Sequence, residues 1–155
     1  MKKILVLLVV MAFMSIAVSA FATTETQNLL VSASVANSCR ITSVADVNFS
    51  TPYDPTDTSP NDSGQGNFAF RCTRGTNYDL YITGTRQMTN GTDNLNYELY
   101  QEAARTNTWP SALPGVTGTS ASNAPVTVGL YGRIAAGQDV GAGAYNGTVV
   151  ITVDY

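Results

Sequence analysis

The sequence contains no histidine and few charged residues of either sign. Only 12% of its 155 residues are charged, with 8 lysines and arginines against 11 acidic residues and a formal net charge of −3. Such a chain lacks the basic surface that nucleic-acid binding requires. Without imidazole it also lacks Ser-His-Asp triads, histidine general bases and histidine-ligated metals. We therefore expect no enzyme and no nucleic-acid-binding protein, and we expect neither a cofactor nor a bound metal.

The first 22 residues have the pattern of an export signal. Lys2 and Lys3 precede the apolar run 4–14, and the small-residue stretch 19–22 follows it. This order is typical of a signal peptide cleaved after Ala22, whereas a membrane anchor of this length would be at the short limit for a spanning helix. We predict that residues 1–22 are a signal peptide. The remaining chain has no lysine, and its six arginines and eleven acidic residues give a net charge of −5.

Two cysteines are present, and both follow the predicted signal peptide. Exported thiols meet an oxidising compartment, and Cys39 and Cys72 allow only one intramolecular pair. Cys72 also has the same strand parity as Phe68 and Phe70, so it points toward the expected core. We predict a Cys39–Cys72 disulfide, with two buried free thiols or intermolecular pairs as the alternatives.

After the signal peptide, the sequence alternates between apolar and polar residues and shows no helical period of useful length. This pattern predicts an all-β protein, and short strands with polar outer faces favour a β-sandwich of immunoglobulin type. Proline and glycine concentrate in 50–66 and 110–124, which we predict as loops. Six strands are predicted after Cys39: 40–49, 67–73, 77–84, 95–100, 125–134 and 148–155.

A further alternating segment lies before Cys39. Its apolar positions are Leu29, Val31, Ala33 and Val35. A sandwich of this type needs about seven strands, so this segment is a candidate for the missing one. Two interpretations stay open: it is the first strand of its own domain, or it completes a neighbouring subunit by β-strand addition.

Aromatic and acidic residues elsewhere in the chain are the candidates for binding or chemistry. An adhesive surface would use Tyr81, Tyr100 and Trp109, although we expect Trp109 to be a loop residue packed on the edge of the sandwich. Paired-carboxylate catalysis would have to draw on the acidic residues, which we expect to be solvated surface groups instead. The acidic candidates are Asp54, Asp57, Asp62, Glu98 and Glu102.

Three stretches of the chain, 95–109, 128–138 and 143–155, resemble the spore coat protein U domain family. This family is similar to the pilins of archaic chaperone-usher pili. The more specific strings are Ala103-Ala104-Arg105-Thr106 and Tyr131-Gly132-Arg133-Ile134. The family's usual Phe-Gly pair near the end of its first strand is Phe49-Ser50 here.

The resemblance implies a domain at 39–155 that is an incomplete immunoglobulin-like sandwich of six strands with a Cys39–Cys72 bridge. Residues 23–38 would be an N-terminal extension that donates a strand to a neighbouring copy or a related pilin. The last strand would line the acceptor groove. Its inward residues would be Val149, Ile151, Val153 and Tyr155.

The resemblance also implies partners and a destination. A periplasmic chaperone would cap the subunit, an outer-membrane usher would assemble it, and the product would be an extracellular fibre or part of the cell surface. Two alternatives remain: a fibre-tip adhesin that binds a surface or a carbohydrate, and a self-contained spore or cell coat protein.

Overall fold

The computed structural model describes residues 22–155. Apart from Ala22, the predicted signal peptide therefore lies outside the described residues. No helix in the described part is long and apolar enough to cross a membrane. The chain divides into two units, Met1–Ala33 and Ser34–Tyr155, and every strand of the described residues belongs to the second.

Residues 34–155 form antiparallel sheets, as the alternating pattern predicts. One sheet has the order β1-β2-β8-β6, a second has the order β7-β3-β9, and β4 and β5 form a small hairpin. The strands are β1 (Cys39–Phe49), β2 (Asn61–Cys72), β3 (Asn77–Thr83), β4 (Gln87–Thr89), β5 (Asn94–Asn96), β6 (Glu98–Tyr100), β7 (Val116–Thr119), β8 (Val126–Ile134) and β9 (Val150–Asp154).

Both large sheets contribute to one hydrophobic core, so they pack face to face. Phe68 and Leu130 come from the first sheet, and Leu80 and Ile82 come from the second. Aromatic rings pack edge to face across this core, with 4.9 Å between the ring centroids of Phe70 and Tyr78. Burial of these apolar side chains is the main source of the sandwich's stability.

The predicted disulfide is confirmed. Cys39 and Cys72 are directly opposite each other in the ladder between β1 and β2, and their sulfur atoms are bonded. Cys72 is buried in the same cluster as Phe68 and Phe70, as its strand parity predicts. The bond therefore links one end of β1 to the hydrophobic core.

The predicted loop at 50–66 is wrong in its last part, because β2 already begins at Asn61. Gly64 lies opposite Gly132 of β8, and the ring of Phe49 covers both. A Cβ atom at Gly64 or Gly132 would lie 2.7 or 2.8 Å from a carbon of that ring. These glycines therefore permit close packing inside a sheet, whereas glycine in a sequence ordinarily signals a turn.

Three short strands also depart from the predictions. The predicted strand 95–100 is divided between β5 and β6, which belong to different sheets. The predicted loop 110–124 contains β7, and β4 falls in a segment with no predicted strand. Strands of three or four residues are too short for alternation to distinguish them from turns. The last strand begins at Val150, two residues later than predicted.

Candidate functional site

Two strands of the sandwich present an unpaired edge beside the same gap. Within the described residues, β1 pairs only with β2, and β9 pairs only with β3. The N–H and C=O groups along the other edge of each strand have no partner strand there. Such edges are ready to pair with another extended chain, which makes them either binding sites or aggregation hazards.

A groove that is lined by apolar side chains and by polar groups lies between residues of these two strands. It has a volume of about 970 Å³, and core residues such as Leu99 and Leu130 form part of its lining. Asp46 is its one charged residue among those described. The larger apolar side chains that line it are Val44, Val47, Phe49, Met88, Leu95, Leu99, Leu130, Ile134, Val140, Val149 and Ile151.

Large apolar side chains are exposed on both edge strands. Val44 of β1 is 56% exposed and Val150 of β9 is 58% exposed, and Ile41 is also exposed. Of these three, Val44 lines the groove, whereas Ile41 and Val150 are not among its lining residues. The groove is therefore suited to an extended, apolar occupant that forms backbone hydrogen bonds with both edges.

The rim of the groove is held by a hydrogen-bonded loop. The Tyr145 hydroxyl donates to the Gly141 carbonyl at 2.7 Å and accepts from the Asn90 side-chain amide at 2.9 Å. Partial loss of hydration, and then the charge of Asp93, raise the pKa of Tyr145. Asn146 and Thr89 exchange backbone hydrogen bonds of 2.9 and 3.1 Å beside it. The rim thus has hydrogen bonds of its own that do not require an occupant.

Of the four residues predicted on the last strand, Val149, Ile151 and Val153 pack against the core, and the first two also line the groove. Tyr155 follows the end of β9, is 59% exposed and is not among the lining residues. The groove residues of β1 were missed by sequence reasoning. Register shifts after Ile41 and after Ala45 interrupt its alternation, so no simple pattern marks them.

The predicted donor segment has an exposed apolar character. Residues 22–38 form no strand, and their side chains are exposed up to Ser38. Leu29 is 87% exposed and Val31 is 83% exposed, and Ala33 and Val35 are exposed as well. Exposed apolar residues of this kind, two positions apart, are what a strand needs if it is to bury one face elsewhere.

The two specific strings contribute to an ion-paired cluster on the first sheet. The Arg133 guanidinium donates to both Asp62 carboxylate oxygens at 2.6 and 2.8 Å. Arg105, in a left-handed backbone conformation, donates to the Gly132 carbonyl at 3.2 Å and to the Asp62 carbonyl. The Arg133 hydrogen bond, above all, holds the pKa of Asp62 below its usual range. The cluster therefore stabilises the fold, and its arginines are not groove residues.

Among the other acidic candidates, Asp54, Glu98 and Glu102 have local structural partners, and Asp57 is exposed. Glu98 is 3.3 Å from Arg86, and Glu102 accepts hydrogen bonds from Thr106 and Asn107, which lower its pKa. No cluster of three potential metal-ligating side chains occurs among residues 22–155. These contacts agree with the expectation of surface acids rather than a catalytic pair.

Trp109 is buried in the core, so its predicted position on the edge of the sandwich is wrong. Its ring is 6.0 Å from that of Phe68 in an edge-to-face arrangement, and its backbone N–H donates to the Leu99 carbonyl at 2.9 Å. An adhesive surface built on Tyr81, Tyr100 and Trp109 therefore loses its tryptophan.

The comparison with protein families agrees with this architecture. The family model described as the Spore Coat Protein U domain matches residues 25–152. The chain belongs to this family. The description of this family is that of a coat protein domain. A search of proteins of curated function found no match.

A solved structure shares the fold. The chain is similar to a chain of the crystal structure of the CsuC-CsuE chaperone-tip adhesion subunit pre-assembly complex, from the archaic chaperone-usher Csu pili of Acinetobacter baumannii. The TM-score is 0.57 and the sequence identity is 23%, over 78% of this chain. This Spore Coat Protein U domain spans 40% of the length of that chain.

Proposed function

We propose that this protein is a structural subunit of a secreted chaperone-usher type pilus or surface fibre, which polymerises by donor-strand exchange and serves adhesion or biofilm formation. The observation that carries the proposal is the groove, with apolar side chains at its base, between two unpaired strand edges. In this proposal the sandwich of residues 39–155 is incomplete, and the extension 23–38 of another copy completes it.

The dimensions of the segment fit this role. Seven extended residues, from Leu29 to Val35, span about 23 Å at roughly 3.3 Å per residue. That length is comparable with the edge that β9 and the second half of β1 present. The alternate side chains would enter the groove, and the backbone would pair with the free edges of both strands.

An open groove is also a physical reason for the proposed chaperone and usher. Exposed apolar side chains and unpaired edges cause aggregation unless another molecule covers them. A periplasmic chaperone would cover the groove after export, and an outer-membrane usher would exchange the chaperone for a donor segment. The subunit would then reach the cell surface as part of an extracellular fibre.

The test substitutes one apolar residue of the donor segment. We expect Val31→Asp to abolish fibres, because it places a charge in the core of the receiving subunit at a cost of several kcal/mol per junction. The complex with the chaperone should form normally. The matched control is Ser32→Asp, which introduces the same charge on the opposite face and should leave fibres intact.

Electron microscopy gives fibre length, and copurification gives the yield of the chaperone complex. Loss of both with Val31→Asp would indicate that the segment is the first strand of its own domain. A wild-type protein that stays a stable, soluble monomer and never polymerises would contradict the proposal. The fibre-tip alternative has less support here, since Trp109 is buried.

A further inference from the structure

The six arginines of the described chain fall into two groups. Arg86, Arg105 and Arg133 form ion pairs with Glu98 or Asp62. The other three form no ion pair within residues 22–155, and they line one concave surface at the disulfide end of β1 and β2. We call this surface the basic end: Arg40, Arg71 and Arg74.

This arrangement is unfavourable for the isolated domain. Arg40 and Arg71 are directly opposite each other in the ladder, where like charges repel. No acidic residue lines the surface, and Asp79 and Asp154, at the same end of the other sheet, form no ion pair within the described residues. The remainder of the chain carries a net negative charge. An anionic partner from outside the domain would relieve this repulsion.

The chain enters the domain at the same place. The Thr73 N–H donates to the Ser38 carbonyl at 2.8 Å, and its hydroxyl donates to the Ala36 carbonyl at 3.2 Å. The Thr76 hydroxyl donates to the Asn37 side-chain oxygen at 3.3 Å. Residues 36–38 are thus fixed, and Val35 itself lines the basic end. Any subunit that receives Val35 must lie against these arginines.

Three carboxylates without an ion pair lie toward the opposite end of the domain, where Asp62, Arg105 and Arg133 form the ion-paired cluster described above. Asp46 lies in the second half of β1, and Asp54 and Asp57 lie in the connection that follows it. All three are exposed, and none forms an ion pair within the described residues. We call this surface the acidic end. Asp46 lies six residues along β1 from Arg40, about 20 Å away at roughly 3.3 Å per residue, and Asp54 and Asp57 follow the far end of the strand.

Strand direction decides which ends would meet. β3 begins shortly after Cys72, and Asp154 pairs with Asp79 near its start, so β9 runs toward the basic end. A donor antiparallel to β9 would therefore enter at the basic end of the receiving copy and leave at its acidic end. A parallel donor would bring one basic end against another.

Resting on the proposed donor-strand function, we propose that the basic end of each subunit docks on the acidic end of the next copy. Arg40, Arg71 and Arg74 meet Asp46, Asp54 and Asp57 at every junction. The contact steers the incoming subunit and favours the antiparallel orientation of the donor, because complementary charge raises association rates.

The test reverses one charge at each end, in Arg71→Glu and in Asp57→Arg. Each variant alone should elongate fibres about tenfold more slowly than wild type in 10 mM NaCl, where the screening length is about 30 Å. The deficit should disappear in 1 M NaCl, where that length is about 3 Å. An equimolar mixture of the two variants should recover the wild-type rate. In a fibre in which the two variants alternate, position 71 of the Arg71→Glu variant meets position 57 of the Asp57→Arg variant at one junction, so the two new charges are opposite. At the next junction, the unchanged Arg71 of one variant meets the unchanged Asp57 of the other.

The control is Asn67→Glu, which adds an exposed negative charge on the same face of β2 and should not slow elongation. Disulfide formation and chaperone-complex yield show that each variant folds. If Val31→Asp abolishes fibres but Arg71→Glu elongates normally in 10 mM NaCl, the docking proposal fails and the donor-strand proposal stands. If Arg71→Glu elongates normally but no longer binds a sulfated polysaccharide, the basic end is a binding site for a surface polyanion, and the docking proposal is overturned. If Val31→Asp still forms fibres, the proposed function itself fails.

Discussion

The two longest strands, β1 and β2, are neighbours of similar length with opposite environments. β2 has a partner strand on each side, and its Phe68, Phe70 and Cys72 are buried. β1 has one partner, and most of its residues are exposed, including Ile41 and Val44. Edge strands in isolated proteins are usually short, charged or covered, but β1 has 11 residues and several exposed apolar side chains.

The difference indicates that one side of the sandwich stabilises the subunit and that the other side is available for assembly. The closed side, around β2 and β8, carries the disulfide, the aromatic core and the Asp62 cluster. The open side, between β1 and β9, leaves apolar area unburied. We expect substitutions on the closed side to change the stability of the subunit, and substitutions on the open side to change assembly.

The largest expected effect is on the closed side. Phe68→Ala should lower the free energy of unfolding by about 3 to 5 kcal/mol, because it removes a fully buried ring from the core. Phe49→Ala should cost clearly less, since that ring is only half-buried beside the groove. Urea unfolding of both variants measures the difference, and equal losses would contradict this difference between the two sides.

The disulfide is the next largest contribution. Closing a loop with a sequence separation of 33 residues stabilises the fold by about 3 to 4 kcal/mol through the unfolded chain. Cys39→Ser, combined with Cys72→Ser so that no free thiol remains, should lower the midpoint of urea unfolding accordingly. Secreted yield should fall as well. If the oxidised and the reduced wild-type protein unfold at the same urea concentration, the disulfide does not make this contribution.

A smaller effect should appear at low pH. The Arg133 hydrogen bonds lower the pKa of Asp62 in the folded state. The ionised Asp62 therefore contributes fully to the free energy of unfolding at any pH above its pKa in the unfolded chain. This contribution is lost as the pH falls through the lower pKa of the folded state. Because Asp62 is partly exposed, Asp62→Asn should cost only about 1 kcal/mol at pH 7. The variant should lose less stability than wild type between pH 4 and pH 2. Asp139→Asn, an exposed acid outside the ion pairs, should behave as wild type.

How far the sequence predicts this protein also differs between the two sides. Two-residue alternation and export were enough to predict an all-β fold and the Cys39–Cys72 bond. They were not enough to find the beginning of β2, because Gly64 is required by the ring of Phe49, which is distant in sequence. The burial of Trp109 likewise depends on contacts with Phe68 and Leu99 that local pattern does not encode.

For a related reason, the sequence predicts only those groove residues that lie at the last strand. Val149 and Ile151 follow strict alternation, which predicts their inward position, whereas Val44 and Val47 lie on a strand whose bulges interrupt the period. A bulge exchanges the inward and outward faces of a strand. Because β1 has two bulges, alternation along its sequence does not predict which of its residues point into the groove.

The smallest expected effect on stability belongs to the open side and tests the comparison most sharply. Val44→Ser and Val126→Ser remove the same groups from two exposed positions, one inside the groove and one on β8 outside it. Each should change the unfolding of the subunit by less than about 1 kcal/mol, since little buried area is lost. Only Val44→Ser should slow fibre growth, because only Val44 would be covered by a donor strand. Equal fibre growth in the two variants would mean that the exposed apolar face of β1 is not an assembly surface.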